Sequence, residues 1–181
     1  MSEKPEILHQ SIVSKSRLFT VEAVDYRFSN GVERSYERLV PGGSGAVMMV
    51  AMLDDEHVAL IREFGGGIEE YTLTLPKGAV DLGETIIEAA NRELQEEIGF
   101  AARKITFLKR MSLSPSYIKG GIDVVLAEDL YPSVLEGDEP EPLELVKWPI
   151  ADLQELVARD DCTEGRAIAA LYYARDYLQR S

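Results

Sequence analysis

Three carboxylates crowd into five residues near the middle of the chain, where residues 92–100 read RELQEEIGF. At 3.6 residues per turn, Glu93, Glu96 and Glu97 lie side by side on one face of a helix, although like charges at this spacing destabilise an isolated helix. Oxygen ligands at this density suit Mg²⁺ or Mn²⁺, which keep coordination positions for substrate phosphates and water. A solvated acidic face on an amphipathic helix is the alternative that these three residues alone leave open.

A helix is predicted around these carboxylates. Thr85 and Glu88 fit a capping box at its start, and Gly99 stands where a helix-ending glycine belongs. Apolar residues recur at helical spacing and are expected to face the core, namely Ile87, Ala90, Leu94 and Ile98. The carboxylates then lie at the edge of the buried region, where a cation and its substrate can reach them.

The composition narrows the possible partners. The 181 residues are 45% hydrophobic and 28% charged, as in one sizeable globular protein. A net charge of −13 argues against a nucleic-acid partner, whereas a polyphosphate can bind when a divalent cation lies between the two sets of negative charge. The single cysteine, Cys162, fits a reducing compartment. No signal-peptide core or membrane-length apolar run is present, so we expect a soluble, cytoplasmic protein with no membrane partner.

Apolar runs and alternating patterns predict the elements that position the helix. An N-terminal β-hairpin is expected, with strands at residues 18–28 and 32–40 joined at Asn30-Gly31. Further strands are expected at residues 46–53, 57–64, 71–75, 104–113, 122–130 and 145–150, followed by helices at 151–160 and 164–180. This order predicts a mixed α/β sandwich, with a hairpin segment at residues 1–44 and the main domain at 45–181.

The spacing around the helix matches a known motif. Gly78 is followed after five residues by Glu84, and after seven more by RELQEEIGF. The Nudix box has this arrangement at every fixed position, and the chain therefore resembles the Nudix hydrolases. The resemblance implies an α/β/α sandwich around a mixed β-sheet. It also implies Mg²⁺-dependent attack of water on a diphosphate linked to another group, with Mn²⁺ as a possible substitute.

The same resemblance assigns roles within the box. Glu93 and Glu97 are expected as the principal metal ligands, and Glu96 as a further ligand that binds directly or through water. Gly78 is expected to bring its backbone close to the metal. Arg92, together with Glu84, is expected to orient the loop or the carboxylates of the catalytic site.

Outside the box, the chain resembles Nudix hydrolases that cleave ADP-linked compounds. The matching stretches include SRLFTVEAVDYRFSNGVERSYERL, FLKRMSLSPSY and DLYPSVLEGDEPEPLELVKWP, and Pro115 stands near the marker proline of the ADP-ribose branch. This resemblance implies cleavage of ADP-ribose, NADH and diadenosine polyphosphates, with release of AMP. It also implies a homodimer in which the N-terminal hairpin caps the adenosine pocket.

The general base is expected in the acidic stretch LEGDEPEPLE, residues 135–144. In related ADP-ribose hydrolases this late loop supplies the base, so the resemblance points to Glu139, with Glu141 as the next candidate. Glu96 is the main competitor. The alternative is that these residues form a solvated turn.

Four residues outside the box are expected to bind substrate. Arg62 could meet a phosphate or form a surface ion pair, while Ser114 and Tyr117 belong to the loop around Pro115, where Tyr117 could stack on a base or simply pack. Arg38 lies on the hairpin with other candidates, Arg17, Tyr26 and Tyr36.

Two departures from the family pattern affect the nucleotide preference. Residues 64–67 read FGGG where many ADP-ribose hydrolases carry a second arginine, and Thr72 and Thr74 stand where a glutamate is common.

Two other classes remain as alternatives. An isomerase of the isopentenyl diphosphate type shares the scaffold but needs a cysteine nucleophile near the front of the sheet, and Cys162 comes late in the chain. A nucleotide-sensing module without turnover would be indicated by a degenerate box, and here every box carboxylate is present.

Overall fold

Ten strands and three α-helices follow one another along residues 3–180, the part of the chain that the computed structural model describes. The strands are β1 (Glu6–Lys15), β2 (Thr20–Arg27), β3 (Glu33–Val40), β4 (Ala46–Ala51), β5 (His57–Gly65), β6 (Glu70–Thr74), β7 (Lys77–Ala79), β8 (Phe100–Ser112), β9 (Gly121–Pro132) and β10 (Glu144–Pro149). The helices are α1 (Ile86–Glu97), α2 (Leu153–Val157) and α3 (Gly165–Leu178). Across these residues no helix is both long and apolar enough to cross a membrane.

The strands form three sheets. The central sheet has the order β7-β4-β9-β8, with β4 and β9 parallel and the other neighbours antiparallel. The second sheet has the order β10-β5-β6, and the third joins β1, β2 and β3 in sequence. Because a parallel pair needs a crossover, the chain between β4 and β9 has room to carry the remaining site elements, including α1.

Strand β4 is buried on both faces, as its continuous apolar run predicts. Met48 and Val50 belong to a core cluster that includes residues of α2 and α3. Val47 and Met49, which alternate with them along the strand and so point to its other face, belong to a second cluster with Leu94 of α1. Helices therefore pack against the sheets on opposite sides, which is the layered α/β/α arrangement expected from the sequence.

Helix α1 begins and ends close to its predicted limits. Thr85 accepts from the Glu88 amide, and the Glu88 side chain accepts from the Thr85 amide, so the predicted capping box is formed. One core assignment was wrong, because Ile87 is 41% exposed while Ile86 packs against the core. The inward stripe is shifted by one residue at the first turn.

Two strands were not predicted from the sequence. All ten residues of β1 are exposed, so this strand lacks the alternating burial that a half-buried strand would show. It extends the predicted hairpin into a three-stranded sheet, which we call the N-terminal sheet (residues 6–40). The short strand β7 pairs with β4 at the edge of the central sheet and places Gly78 opposite Val47. The predicted helix at 151–160 is shorter, since α2 covers Leu153–Val157 after a 3-10 turn.

Candidate active site

Arg92 is the centre of the polar network on α1. Its guanidinium donates to both carboxylate oxygens of Glu84, at 2.9 and 3.0 Å, and to the carbonyl of Ala79 at 2.9 Å. One of its nitrogens also donates to Glu93 at 2.7 Å and to Glu96 at 2.9 Å. These partners raise the pKa of Arg92 further above its ordinary value, chiefly through the Glu84 hydrogen bonds. The arginine thus fastens the loop before α1 to the helix that carries the carboxylates.

Gly78 lies against the carboxylate of Glu93. A Cβ atom built on Gly78 would stand 1.9 Å from the Glu93 Cδ and about 2 Å from both of its oxygens. The Glu93 side chain is only 12% exposed, and burial raises its pKa against the opposing effect of Arg92. Glycine at position 78 therefore creates the space that the carboxylate occupies.

Glu97 is buried beside the start of β7. Its carboxylate accepts the backbone amide of Lys77 at 2.9 Å, while the Lys77 ammonium pairs with Glu63 of β5. Burial raises the pKa of Glu97 to about 8, against the lowering effect of its contact with Lys77. Lys77 and Glu63 are participants that the sequence pattern did not identify.

The site carries the chemistry of a divalent-cation site. Within residues 3–180 no three acidic, histidine or cysteine side chains already stand together as a ligand cage, since Arg92 lies between Glu93 and Glu96. Two observations fit a cation nonetheless: the Gly78 space holds one carboxylate in a fixed place, and burial disfavours the charged forms of Glu93 and Glu97. A cation beside these two carboxylates would stabilise their charged forms and offset the cost of burying them.

The acidic loop, which we define as residues 135–143, lies against the C-terminal half of α1. The Leu135 amide donates to the Gln95 carbonyl at 3.2 Å, and Gly137 packs against Glu96. Glu96, Glu139 and Glu141 line one small cavity of about 240 Å³. Burial, followed by the charges of Glu63 and Asp138, raises the pKa of Glu139.

Of the candidate substrate residues, Arg62 has protein partners. Its guanidinium donates to Glu144 of β10 and to Asp161, both at 3.0 Å. Asp161 also accepts from Arg159 at 2.8 Å, and its pKa is lowered to about 2, chiefly by that arginine. Arg62 thus ties β5 to β10 and to the segment before α3.

Two other candidates share a cavity. Arg38 and Tyr117 line a space of about 450 Å³ between the N-terminal sheet and the loop after β8, together with Tyr26, Tyr36 and Pro115. Arg38 is held there by Glu22 at 2.6 Å and by the Tyr26 hydroxyl at 2.9 Å. Ser114 lines a neighbouring cavity instead, and the exposed Arg17 is not among the lining residues of the first.

The loop after β8 joins the N-terminal sheet to the rest of the chain. The Leu39 amide donates to the Tyr117 carbonyl at 2.8 Å, and the Lys119 amide donates to the Leu39 carbonyl at 2.9 Å. Among the described residues, none from the box on α1 lines this cavity.

The loop that carries Gly78 and the helix that carries the three glutamates have the arrangement of a Nudix site. The chain belongs to the Nudix family. Residues 44–171 match the NUDIX domain. Residues 5–38 match the NudE-type Nudix hydrolase N-terminal domain. Nudix hydrolases use divalent metal cations, in agreement with the donor set on α1.

Similarity to particular enzymes covers nearly the whole chain. The chain is 51% identical to the ADP compounds hydrolase NudE of Escherichia coli over 98% of this chain and 95% of that protein. A crystal structure of an ADP compounds hydrolase superposes with a TM-score of 0.91 at 50% identity, covering 99% and 97% of the two chains. The ADP-ribose pyrophosphatase of Bacillus subtilis is 27% identical over 92% of each chain. The predicted α/β Nudix fold and the assignment to Nudix hydrolases are confirmed.

Proposed function

We propose that this protein is a Mg²⁺-dependent hydrolase of the pyrophosphate bond in ADP-linked compounds, releasing AMP. Mn²⁺ is a possible substitute. The observation that carries the proposal is the 51% identity over nearly the full length with an ADP compounds hydrolase, combined with an intact box in which Glu93 occupies the space at Gly78. ADP-ribose, NADH and diadenosine polyphosphates are the expected substrates.

The residues of α1 would hold the cation. Glu93 and Glu97 are the expected principal ligands, Glu96 a further ligand, and Gly78 allows the close approach of the backbone. When bound, the cation supplies charge neutralisation at the phosphates and lowers the pKa of coordinated water. Arg92 keeps Glu93 and Glu96 in place through the contacts at 2.7 and 2.9 Å.

Glu139 is the proposed general base. It shares a cavity with Glu96, and a carboxyl whose pKa is raised by burial is a stronger proton acceptor than an ordinary one. In the reaction Glu139 takes a proton from the attacking water, the new oxygen–phosphorus bond forms, and the anhydride bond to the second phosphate breaks. Glu141 and Glu96 are the competing candidates for this role.

The cavity lined by Arg38 and Tyr117 is the proposed adenosine pocket. Its aromatic side chains can stack on a base, and Arg38 can contact the ribose or phosphates. Ser114, in the neighbouring cavity, is retained as a candidate contact for the part of the substrate beyond the adenosine. The role of Arg62 at a phosphate would require it to exchange one of its ion pairs with Glu144 and Asp161. Because no box residue of the described chain lines this cavity, we propose that the site is completed across a homodimer.

The N-terminal sheet supports the dimer proposal. It exposes a group of large apolar side chains, which are Ile7, Leu8, Ile12, Val13, Leu18, Phe19, Val32 and Tyr36. Large apolar side chains exposed in this number on one small sheet favour burial against a partner. We retain residues 1–44 as the dimer and substrate-cap segment and 45–181 as the catalytic domain. A cytoplasmic location belongs to the same proposal, supported by the single, buried Cys162.

Purified protein tests the function directly. With Mg²⁺ present, ADP-ribose, NADH, diadenosine triphosphate and ADP-glucose are assayed for AMP. Glu97→Gln is expected to abolish turnover while the fold stays intact by circular dichroism. Glu155→Gln, an exposed carboxylate on α2, serves as the matched control and is expected to keep full activity. Absence of AMP from every substrate would favour the nucleotide-binding module instead.

The base assignment has its own test. Glu139→Gln is expected to lower the rate at saturating Mg²⁺ by about 10² or more, the range of general-base catalysis. An unchanged rate would move the base to Glu96 or Glu141. The isomerase alternative finds no support at Cys162, which packs in the core cluster with α3, on the side of the sheet away from α1.

A further inference from the structure

The hairpin formed by β5 and β6 reaches the acidic loop through one tyrosine. The Tyr71 hydroxyl donates a hydrogen bond to the carboxylate of Glu141. On the hairpin, Tyr71 lies directly opposite Phe64, and their rings meet edge to face with centroids 5.3 Å apart. The contact with Phe64 on the paired strand therefore fixes the orientation of the Tyr71 ring, whose hydroxyl contacts the loop.

The acidic loop has firm attachments only at its two ends. At its start, Leu135 bonds to the Gln95 carbonyl and Gly137 touches Glu96. At its end, Leu143 packs against the core cluster of α1. Between them, the one side-chain hydrogen bond that residues 138–142 make within residues 3–180 is the bond from Tyr71.

Glu139 lies inside this span. It is two residues after the contact of Gly137 with Glu96 and two residues before the carboxylate that Tyr71 holds. A five-residue exposed segment without hydrogen bonds samples many backbone conformations, and each additional fixed point removes most of them. The position of Glu139 beside Glu96 thus depends on the Tyr71 contact.

We propose that Tyr71 is a positioning residue, which fixes the acidic loop through Glu141 so that Glu139 remains in the cavity that it shares with Glu96. The proposal rests on the proposed function, because it assigns Tyr71 a role in presenting the proposed base. Tyr71 itself acts through the loop and does not need to touch the substrate.

The test is the variant Tyr71→Phe, which removes the donor and keeps the ring against Phe64. We expect kcat to fall about tenfold, as for loss of one hydrogen bond to a charged group, with KM for ADP-ribose nearly unchanged. Tyr173→Phe removes a hydroxyl from α3, on the far side of the sheet, and is expected to leave kcat unchanged.

A double-mutant cycle separates a role through Glu139 from a general structural effect. In a Glu139→Gln background, Tyr71→Phe is expected to have little further effect, because the group it positions is already removed. Hydrogen exchange of residues 136–143 is expected to become faster in Tyr71→Phe and to stay unchanged in Tyr173→Phe.

An unchanged or faster kcat in Tyr71→Phe overturns the proposal, and so does an equal loss in both backgrounds. Unaltered exchange in the acidic loop overturns it as well. The hydrolase function is decided separately by Glu97→Gln, whose loss of turnover does not depend on Tyr71.

Discussion

At the level of single residues, Gly78 has no room for a side chain because the Glu93 carboxylate lies against it. Ala at position 78 would place a methyl carbon 1.9 Å from the Glu93 carboxyl carbon, so the carboxylate must move. Gly78→Ala is expected to lower kcat/KM by about 10², since a displacement of about 1 Å at a reacting centre costs that much. Steady-state kinetics across a Mg²⁺ titration measures this change.

Gly42→Ala is the matched control for this experiment. An added Cβ there meets no atom within 4 Å, and its backbone does not require glycine. Wild-type kinetics are expected for it. Equal activity in Gly78→Ala and Gly42→Ala would show that Glu93 does not need the position it occupies.

Sequence spacing predicts which residues of one helix lie together, but it does not predict contacts between residues of separate elements. The spacing of the box identified Glu93, Glu96 and Glu97, because helical periodicity relates positions that are three or four residues apart. It did not identify Lys77 or Tyr71. Their partners, Glu97 and Glu141, are 20 and 70 residues away, and no local pattern encodes contacts between separate elements.

At the scale of elements, burial decides which strands a sequence reveals. The buried strand β4 was predicted from its apolar run, and α1 from its capping box and apolar repeat. Strand β1 was missed because all ten of its residues are exposed in the single chain. Ile87 was misplaced because Ile86 and Ile87 both fit an apolar repeat, and only packing selects between them.

The exposed face of β1 leads to a prediction about assembly. Ile12→Asp introduces a charge on a strand whose apolar residues are proposed to meet a second copy. We expect the dimer to shift toward monomer at micromolar concentration, with circular dichroism unchanged, because an unpaired charge in an interface disfavours association. Light scattering coupled to size-exclusion chromatography measures the mass.

Phe107→Asp controls for the loss of an exposed apolar residue as such. Phe107 lies on β8 and is 52% exposed, close to the 57% of Ile12. Its variant is expected to keep the dimer. A wild-type protein that is monomeric at all concentrations, or an Ile12→Asp variant that stays dimeric, contradicts the proposed interface.

At the scale of the whole molecule, charge explains why a cation belongs in the reaction. The chain carries a net charge of −13, and the two cations nearest the box carboxylates, Arg92 and Lys77, already pair with Glu84 and Glu63 among others. A polyphosphate approaching this site therefore meets an excess of negative charge. A divalent ion held by the proposed glutamate ligands would offset this excess.

The same charge balance predicts how stability depends on pH and metal. Folding raises the pKa of Glu97 from 4.5 to about 8, so the folded state holds this proton more tightly than the unfolded state. The cost of the buried carboxylate is therefore small below about pH 5 and grows as the pH rises toward about 8. Glu97→Gln removes the ionisable group while its amide oxygen can still accept from Lys77.

In EDTA, Glu97→Gln is thus expected to melt close to wild type at about pH 5 and several degrees above it at about pH 8.5. Added Mg²⁺ at the higher pH is expected to raise the Tm of the wild type and to change the variant little, because the proposed ligands bind the ion only in the folded state. Differential scanning calorimetry at both pH values, with and without Mg²⁺, measures these four shifts.

A variant that is less stable than wild type in EDTA at about pH 8.5 would contradict the conclusion that the buried, charged Glu97 destabilises the fold when no cation is bound. A variant that gains as much from Mg²⁺ as the wild type would remove Glu97 from the ligand set.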